Sequence, residues 1–110
     1  MNDYGKQISE NSCPVTYCLS VIGGKWKPVI LFLISQDINR FGQLQRQIDG
    51  ISKQMLTKHL RELEEDGVLH RKVFDEVPPR VEYTLSERGK SLWPVIKAMR
   101  DWGNQQLAKQ

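Results

Sequence analysis

Residues 51–85 read ISKQMLTKHLRELEEDGVLHRKVFDEVPPRVEYTL, and a change of period inside this stretch decides the fold. Its first half spaces apolar residues as a helix does: Leu56, Leu60 and Leu63 fall within one narrow arc. Ser52 is a favoured N-cap in front of Lys53, and Gly67 a favoured stop after Asp66. Beyond Gly67 the period drops to two. Val81, Tyr83 and Leu85 alternate with Arg80, Glu82 and Thr84, the pattern of a half-buried strand. Val68 to Phe74 is its antiparallel partner. Between them, Asp75 to Pro79 make a loop whose two prolines stiffen the tip and block further pairing.

Upstream of this stretch, Phe41, Leu44 and Ile48 predict a third helix over Phe41 to Ile48, separated from the fourth by an Asp49-Gly50 turn. Ile38 to Arg40 are expected to form a very short strand. Trp26 to Ile34 is apolar nearly all round, so it is read as a helix in the middle of the core. Pro28 fits only because it falls in the first turn. Pro14 suits the first position of a helix running to about Ile22, which Gly23-Gly24 stops. Downstream, Ser86 can cap a last helix with a stripe of Leu92, Val95, Ile96, Met99 and Trp102. Pro94 must kink that helix or mark a late start.

The order is helix, helix, short strand, helix, turn, helix, hairpin, helix. This is a mainly α chain with a small β-hairpin wing (α+β), the winged helix-turn-helix pattern. Residues 1–12 are polar and read as a flexible arm, and residues 13–110 as one domain. The length of 110 residues allows one core and not two. Apolar residues make up 39% and charged residues 26%, ordinary for a soluble globular protein. No apolar stretch approaches the roughly 20 residues of a membrane span, and Met1 to Ser12 lack the apolar core of a signal peptide. A cytoplasmic protein is expected, with its two cysteines as thiols.

A net charge of +3 permits a polyanionic partner without requiring one, so the placement of the charges decides. With the leucines of the fourth helix facing down, Gln54, Lys58 and Arg61 come to the top, at about 100° per residue, and Thr57 lies on the flank. Amide, hydroxyl, ammonium and guanidinium groups on one face suit base edges and phosphates in a major groove. Lys53, Lys58 and Arg61 come early, while Glu62, Glu64, Glu65 and Asp66 come late. A lone helix with such a face is more often simply solvated; its position after a turn and before a wing favours duplex DNA as partner. Arg80 beside the loop is a candidate for a minor groove or its phosphates, and Arg71 and Lys72 flank it. Lys25, Lys27, Arg40 and Arg46 stand near helix starts as further candidates for backbone contacts.

Other features are bland. His59 has Glu62 one turn on, which falls short of a metal site. No phosphate-cradling glycine loop is present, so neither a metal nor a cofactor is expected. Val15, Leu19, Val95, Met99 and Trp102 are more apolar surface than a small body covers, and predict a homodimer through the first and last helices. Cys13 precedes the proline that opens the first helix, where unpaired N–H groups favour a thiolate. Cys18 lies about 140° round the same helix, poorly placed to pair with it, and reads as a small packed residue.

Cys13-Pro14-Val15, Gly23-Gly24-Lys25-Trp26, Arg40-Phe41, Leu44, Ile51-Ser52-Lys53-Gln54-Met55-Leu56, Leu60, Glu62-Leu63, Asp66-Gly67, Pro78-Pro79, Val81-Glu82-Tyr83, Leu85 and Gly89 together resemble the HxlR-type bacterial transcription regulators. The resemblance covers about Cys13 to Trp102. It implies a cytosolic dimeric winged-helix regulator, with Ile51 to Arg61, including Ser52, as the recognition region and Val77 to Val81 as the wing. It also implies a redox or electrophile sensor at Cys13, since several members of that family sense oxidants, quinones or aldehydes there; Cys18 is outside the usual pattern. Two other classes compete. A winged-helix protein-interaction module lacks a reason for the basic upper face. A thiol reductase lacks a Cys-x-x-Cys pair and a cofactor cradle. Operator, regulated genes and inducer are not encoded in any motif.

Overall fold

The structure, a computed structural model, describes residues 12–110. The arm expected at residues 1–12 lies, except for Ser12, outside the described residues. Six helices and one hairpin follow in the order α1 (Pro14–Ile22), α2 (Lys27–Ser35), α3 (Phe41–Gln47), α4 (Lys53–Glu65), β1 (Leu69–Phe74), β2 (Arg80–Leu85), α5 (Glu87–Lys90) and α6 (Trp93–Leu107). This is the winged helix-turn-helix architecture.

The core forms where the apolar faces of these elements converge. Ile22, Ile30, Leu44, Leu56, Leu60, Leu63, Val68 and Leu69 are the largest fully buried side chains. Ile30, Leu31 and Ile34 all come from α2, the central helix that its composition requires. Leu56, Leu60 and Leu63 are the whole buried face of α4. That face holds the helix down and leaves the opposite one to solvent.

The ends of α4 are set by local chemistry. The Ser52 hydroxyl accepts a hydrogen bond from the Met55 amide at 3.0 Å. Gly50 supplies the turn with φ +87°. At the other end Gly67 takes φ +77°, a left-handed conformation that costs glycine little. The Gly67 amide donates to the Glu64 carbonyl at 3.0 Å and the Val68 amide to the Leu63 carbonyl at 3.0 Å. This pair of bonds is the Schellman cap, and buried Val68 and Leu63 supply its apolar contact.

The hairpin is an antiparallel pair with Leu69 opposite Leu85, Arg71 opposite Tyr83 and Phe74 opposite Arg80. Its burial departs from the alternation in the sequence. Leu69 is buried, but Val73 and Val77 are exposed, because a two-stranded ribbon outruns the body and, among the described residues, those two side chains stay uncovered. Ile38 to Arg40 are not a strand. Their one backbone bond to β2 is from the Tyr83 amide to the Asn39 carbonyl at 3.0 Å, where a ladder needs several.

The last helix is two helices. Ser86 caps the short α5, accepting from the Gly89 amide at 3.0 Å and donating to the Gly67 carbonyl at 2.6 Å. Pro94 then falls in the first turn of α6, the late start that a missing N–H allows. Gly89 sits against the Val68 carbonyl, where a Cβ would collide with the backbone. Between α1 and α2 the chain bends by 72° at the glycine pair. No single helix among the described residues is long and apolar enough to cross a membrane.

Candidate nucleic-acid interface

The upper face of α4 is built as the leucine spacing predicts. Ser52, Lys53, Gln54, Thr57, Lys58 and Arg61 are all exposed. Lys53, Gln54, Thr57, Lys58 and Arg61 line one shallow depression of about 360 Å³ along the helix. The Thr57 hydroxyl donates to the Lys53 carbonyl at 2.8 Å. To an incoming base it therefore offers oxygen lone pairs and a methyl group. Ser52 spends a lone pair in capping, which fixes where α4 begins, and its O–H is still a donor on this face.

A second cleft, of about 360 Å³, lies between α4 and the wing and was not legible in the sequence. Arg61 and Thr57 line it from α4, Arg71 and Tyr83 from the hairpin, with Phe41 and Glu64 completing it. Arg71 and Tyr83 face each other across the ladder. No periodicity within one element reports this, because the cleft depends on how the hairpin leans on the helix.

Arg80 is held by carboxylates. Its Nε donates to Glu76 at 3.0 Å and its Nη1 to Glu82 at 2.6 Å. The guanidinium also stacks over Phe74 at 3.7 Å. Partial burial opposes its charge, but hydrogen bonding and charge from Glu76 and Glu82 outweigh this and raise its pKa. Arg40 lies 3.8 Å from the same Glu82. The loop end of the wing is thus a network of two arginines and two glutamates. Arg71 lies outside it.

Lys27 is not a surface cation. It is buried, and its Nζ lies 3.1 Å from Glu62 Oε1. The pair joins the start of α2 to α4. Hydrogen bonding from Lys27 pulls the Glu62 carboxyl below its ordinary pKa, desolvation works against this, and the Lys27 charge adds to the lowering. His59 Nδ1 lies 3.5 Å from that carboxylate oxygen, at the outer limit of a hydrogen bond, and adds to the lowering. Lys25 is exposed just before α2. It lies over the Trp26 ring at 4.7 Å and lines a groove between α2 and α6.

A carboxyl whose pKa falls on folding contributes stability that is complete above its unfolded pKa and is lost as pH drops through the folded value. Wild-type stability is therefore expected to fall below about pH 4.5 partly through Glu62. Glu62→Gln should lower stability near pH 7 by about 1–2 kcal/mol, since it leaves Lys27 buried beside a neutral amide. The difference from wild type should shrink in acid. Urea melts at pH 7 and pH 3.5 measure both, and a constant difference would show that the pair is not responsible.

Cys13 is the N-cap residue of α1, in extended conformation, with proline in the first turn behind it. Its carbonyl accepts from the Tyr17 amide at 2.9 Å. Cys13 and Cys18 are both partly exposed, and Cys18 packs against the core. The Tyr17 hydroxyl accepts from Arg88 Nη2 at 2.9 Å, and Arg88 Nε donates to the Asp66 carbonyl at 3.0 Å. This links α1 to the C-terminal end of α4, where Arg88 also offsets the acidic residues at the negative end of the dipole. Among the described residues, no group of three or more histidines, cysteines or acids is placed to hold a metal.

A short helix, a turn, an amphipathic helix with a basic upper face and an adjoining wing define a helix-turn-helix DNA-binding protein. A model described as HxlR-like helix-turn-helix matches residues 21–110, and the chain belongs to that family of transcription regulators. It is 48% identical over 101 residues to the HTH-type transcriptional regulator YdeP of Bacillus subtilis, covering 92% of this chain and 78% of that one. YybR of the same organism is 44% identical, with 86% and 76% covered. Among solved structures, the redox regulator HypR in its oxidised form superposes with a TM-score of 0.80 at 46% identity, covering 84% of this chain and 96% of that one. These relatives are transcription regulators, which disfavours the protein-interaction module.

Proposed function

We propose that the protein is a homodimer that binds an inverted-repeat operator, with one α4 entering each of two successive major grooves about one helical turn apart. The observation that carries this reading is the exposed cluster of Lys53, Gln54, Thr57, Lys58 and Arg61 on α4. Gln54 and Arg61 are assigned to base edges and Lys53 and Lys58 to phosphates. Glu76 and Glu82 offset the Arg80 charge but leave some of its N–H donors unused, so it joins the phosphate contacts more weakly. Arg71 is better placed, since it shares the cleft with Arg61.

Dimerisation is supported by the apolar side chains that α1 and α6 leave in solvent. Val15 is 67% exposed, Leu19 59%, Met99 44% and Trp102 66%, with Val95 also exposed. The test selects genomic fragments that the protein retains, then footprints them. Two protected segments about one helical turn apart, together with twice the monomer mass in sedimentation, are expected. A monomer protecting a single segment would overturn the reading.

Cys13 is proposed as the switch on this dimer. Its supports are its N-cap position on α1, two residues before exposed Val15, and the similarity to a protein described as a redox regulator. A bulky group or crosslink there would disturb the packing of α1 and, through it, the spacing of the two α4 helices. Mild oxidant or quinone is expected to release wild-type protein from operator DNA and to leave Cys13→Ser bound. Moving occupancy from nearly full to nearly empty requires the modification to disfavour the bound form by roughly 5 kcal/mol. Equal release of Cys13→Ser would transfer the role to Cys18 or remove it altogether.

A further inference from the structure

A cavity lies away from the DNA face. It is a groove of about 390 Å³ between the N-terminal half of α2 and the middle of α6. Small-molecule sites run from roughly 300 to 1,000 Å³, are mostly apolar and carry a few polar groups that fix orientation. Val29, Phe32, Ile96 and Met99 line this groove, and Lys25 and Arg100 stand in its wall. We infer that the groove is a binding site for a small planar aromatic anion.

Each part of that ligand class answers a feature of the groove. Phe32 offers a ring and Met99 a polarisable thioether, both of which favour an aromatic guest. Phe32 is held in place by stacking on Trp93, with centroids 6.4 Å apart and planes within 12°. Arg100 lies over the Phe32 ring at 5.5 Å, and both cations keep N–H donors that an outside anion can use. Asp101, the acid beside Arg100, is hydrogen-bonded to Lys97 at 2.8 Å and lies 4.0 Å from Arg100 Nη1. Lys25 lies over the Trp26 ring at 4.7 Å. A second copy of this chain pressed into the groove through apolar side chains would strip water from two cations and return no negative charge. A carboxylate or phenolate on a flat ring satisfies both halves of the lining.

The position also matters for regulation. Met99 belongs both to the groove and to the face proposed for dimerisation. A ligand seated there touches α6 where the two subunits are expected to meet.

The test titrates the full-length protein, without DNA, with 2-naphthoate. The neutral 2-naphthalenemethanol and the non-aromatic hexanoate run in parallel. Tryptophan fluorescence and the Met99 methyl resonance report binding. Saturable binding of 2-naphthoate is expected, at least about tenfold tighter than either comparison probe. Arg100→Gln and Lys25→Gln should each weaken it by about five- to tenfold, the size of one charge-assisted hydrogen bond. Val29→Trp, which fills the groove at an exposed position, should abolish binding while thermal melting stays unchanged. Equal affinity for all three probes, or shifts confined to residues outside the groove, would overturn the site. So would binding that disappears as protein concentration rises, which would give the groove to a second copy. No DNA is present, so failure here leaves the operator reading as it stands.

Discussion

Raising salt from about 50 to about 200 mM is expected to weaken operator binding by about 10³ or more if six or more phosphates are contacted. Each phosphate neutralised by a lysine or arginine releases condensed counterions, and the logarithm of affinity then falls linearly with the logarithm of salt. Within that frame the two kinds of contact separate. Arg61→Ala and Gln54→Ala should each cost about 1–3 kcal/mol on the operator and less on random DNA, as expected for a lost bidentate base contact. Lys58→Ala should weaken both DNAs alike and flatten the salt slope by about one contact. Arg80→Ala should change affinity less than Arg71→Ala, because Glu76 and Glu82 already hold the Arg80 guanidinium. Fluorescence anisotropy over a salt series measures all of these. If Arg61→Ala and Gln54→Ala weakened every sequence equally, both side chains would be phosphate clamps and sequence reading would have to lie elsewhere. A flat salt dependence would remove DNA as the partner of this face.

Leu60→Ala should destabilise the fold by about 2–5 kcal/mol. Leu60 is only 1% exposed, and a truncated core leucine loses its transfer energy and leaves a cavity that neighbours only partly fill. In a domain of this size that corresponds to a drop of roughly 10–30 °C in the melting midpoint. Thr57→Ala, one turn back on the exposed side of α4, should change stability by less than about 0.5 kcal/mol. Dimerisation makes the midpoint depend on concentration, so the variants are compared at one protein concentration by thermal melting. A small effect of Leu60→Ala would mean that α4 is not anchored through its leucine stripe.

The sequence carried the elements whose signals are local. The Ser52 cap, the Gly67 stop and the leucine spacing between them state α4 almost completely, because helix ends and faces depend on neighbours three or four positions away. The basic upper face follows from the same spacing, since burying Leu56, Leu60 and Leu63 leaves Gln54, Lys58 and Arg61 outward. Pro94 announced a break and left open whether it kinks one helix or starts another. The structure decides for a new start, because Ser86 already caps a separate short helix.

What the tertiary structure alone decided involves residues far apart in the chain. Lys27 looks like any surface lysine at a helix start. Only the packing of α2 on α4 brings it to Glu62 and buries it, and no window of one helix contains both residues. In the same way, only the hairpin register and the loop bring Glu76, Glu82 and Phe74 around Arg80. The cleft joining Arg61 to Arg71 and the groove joining Lys25 to Arg100 likewise have no sequence signature. Period and propensity act over one or two turns, whereas a cavity is the space left between elements whose mutual placement is set by the whole core.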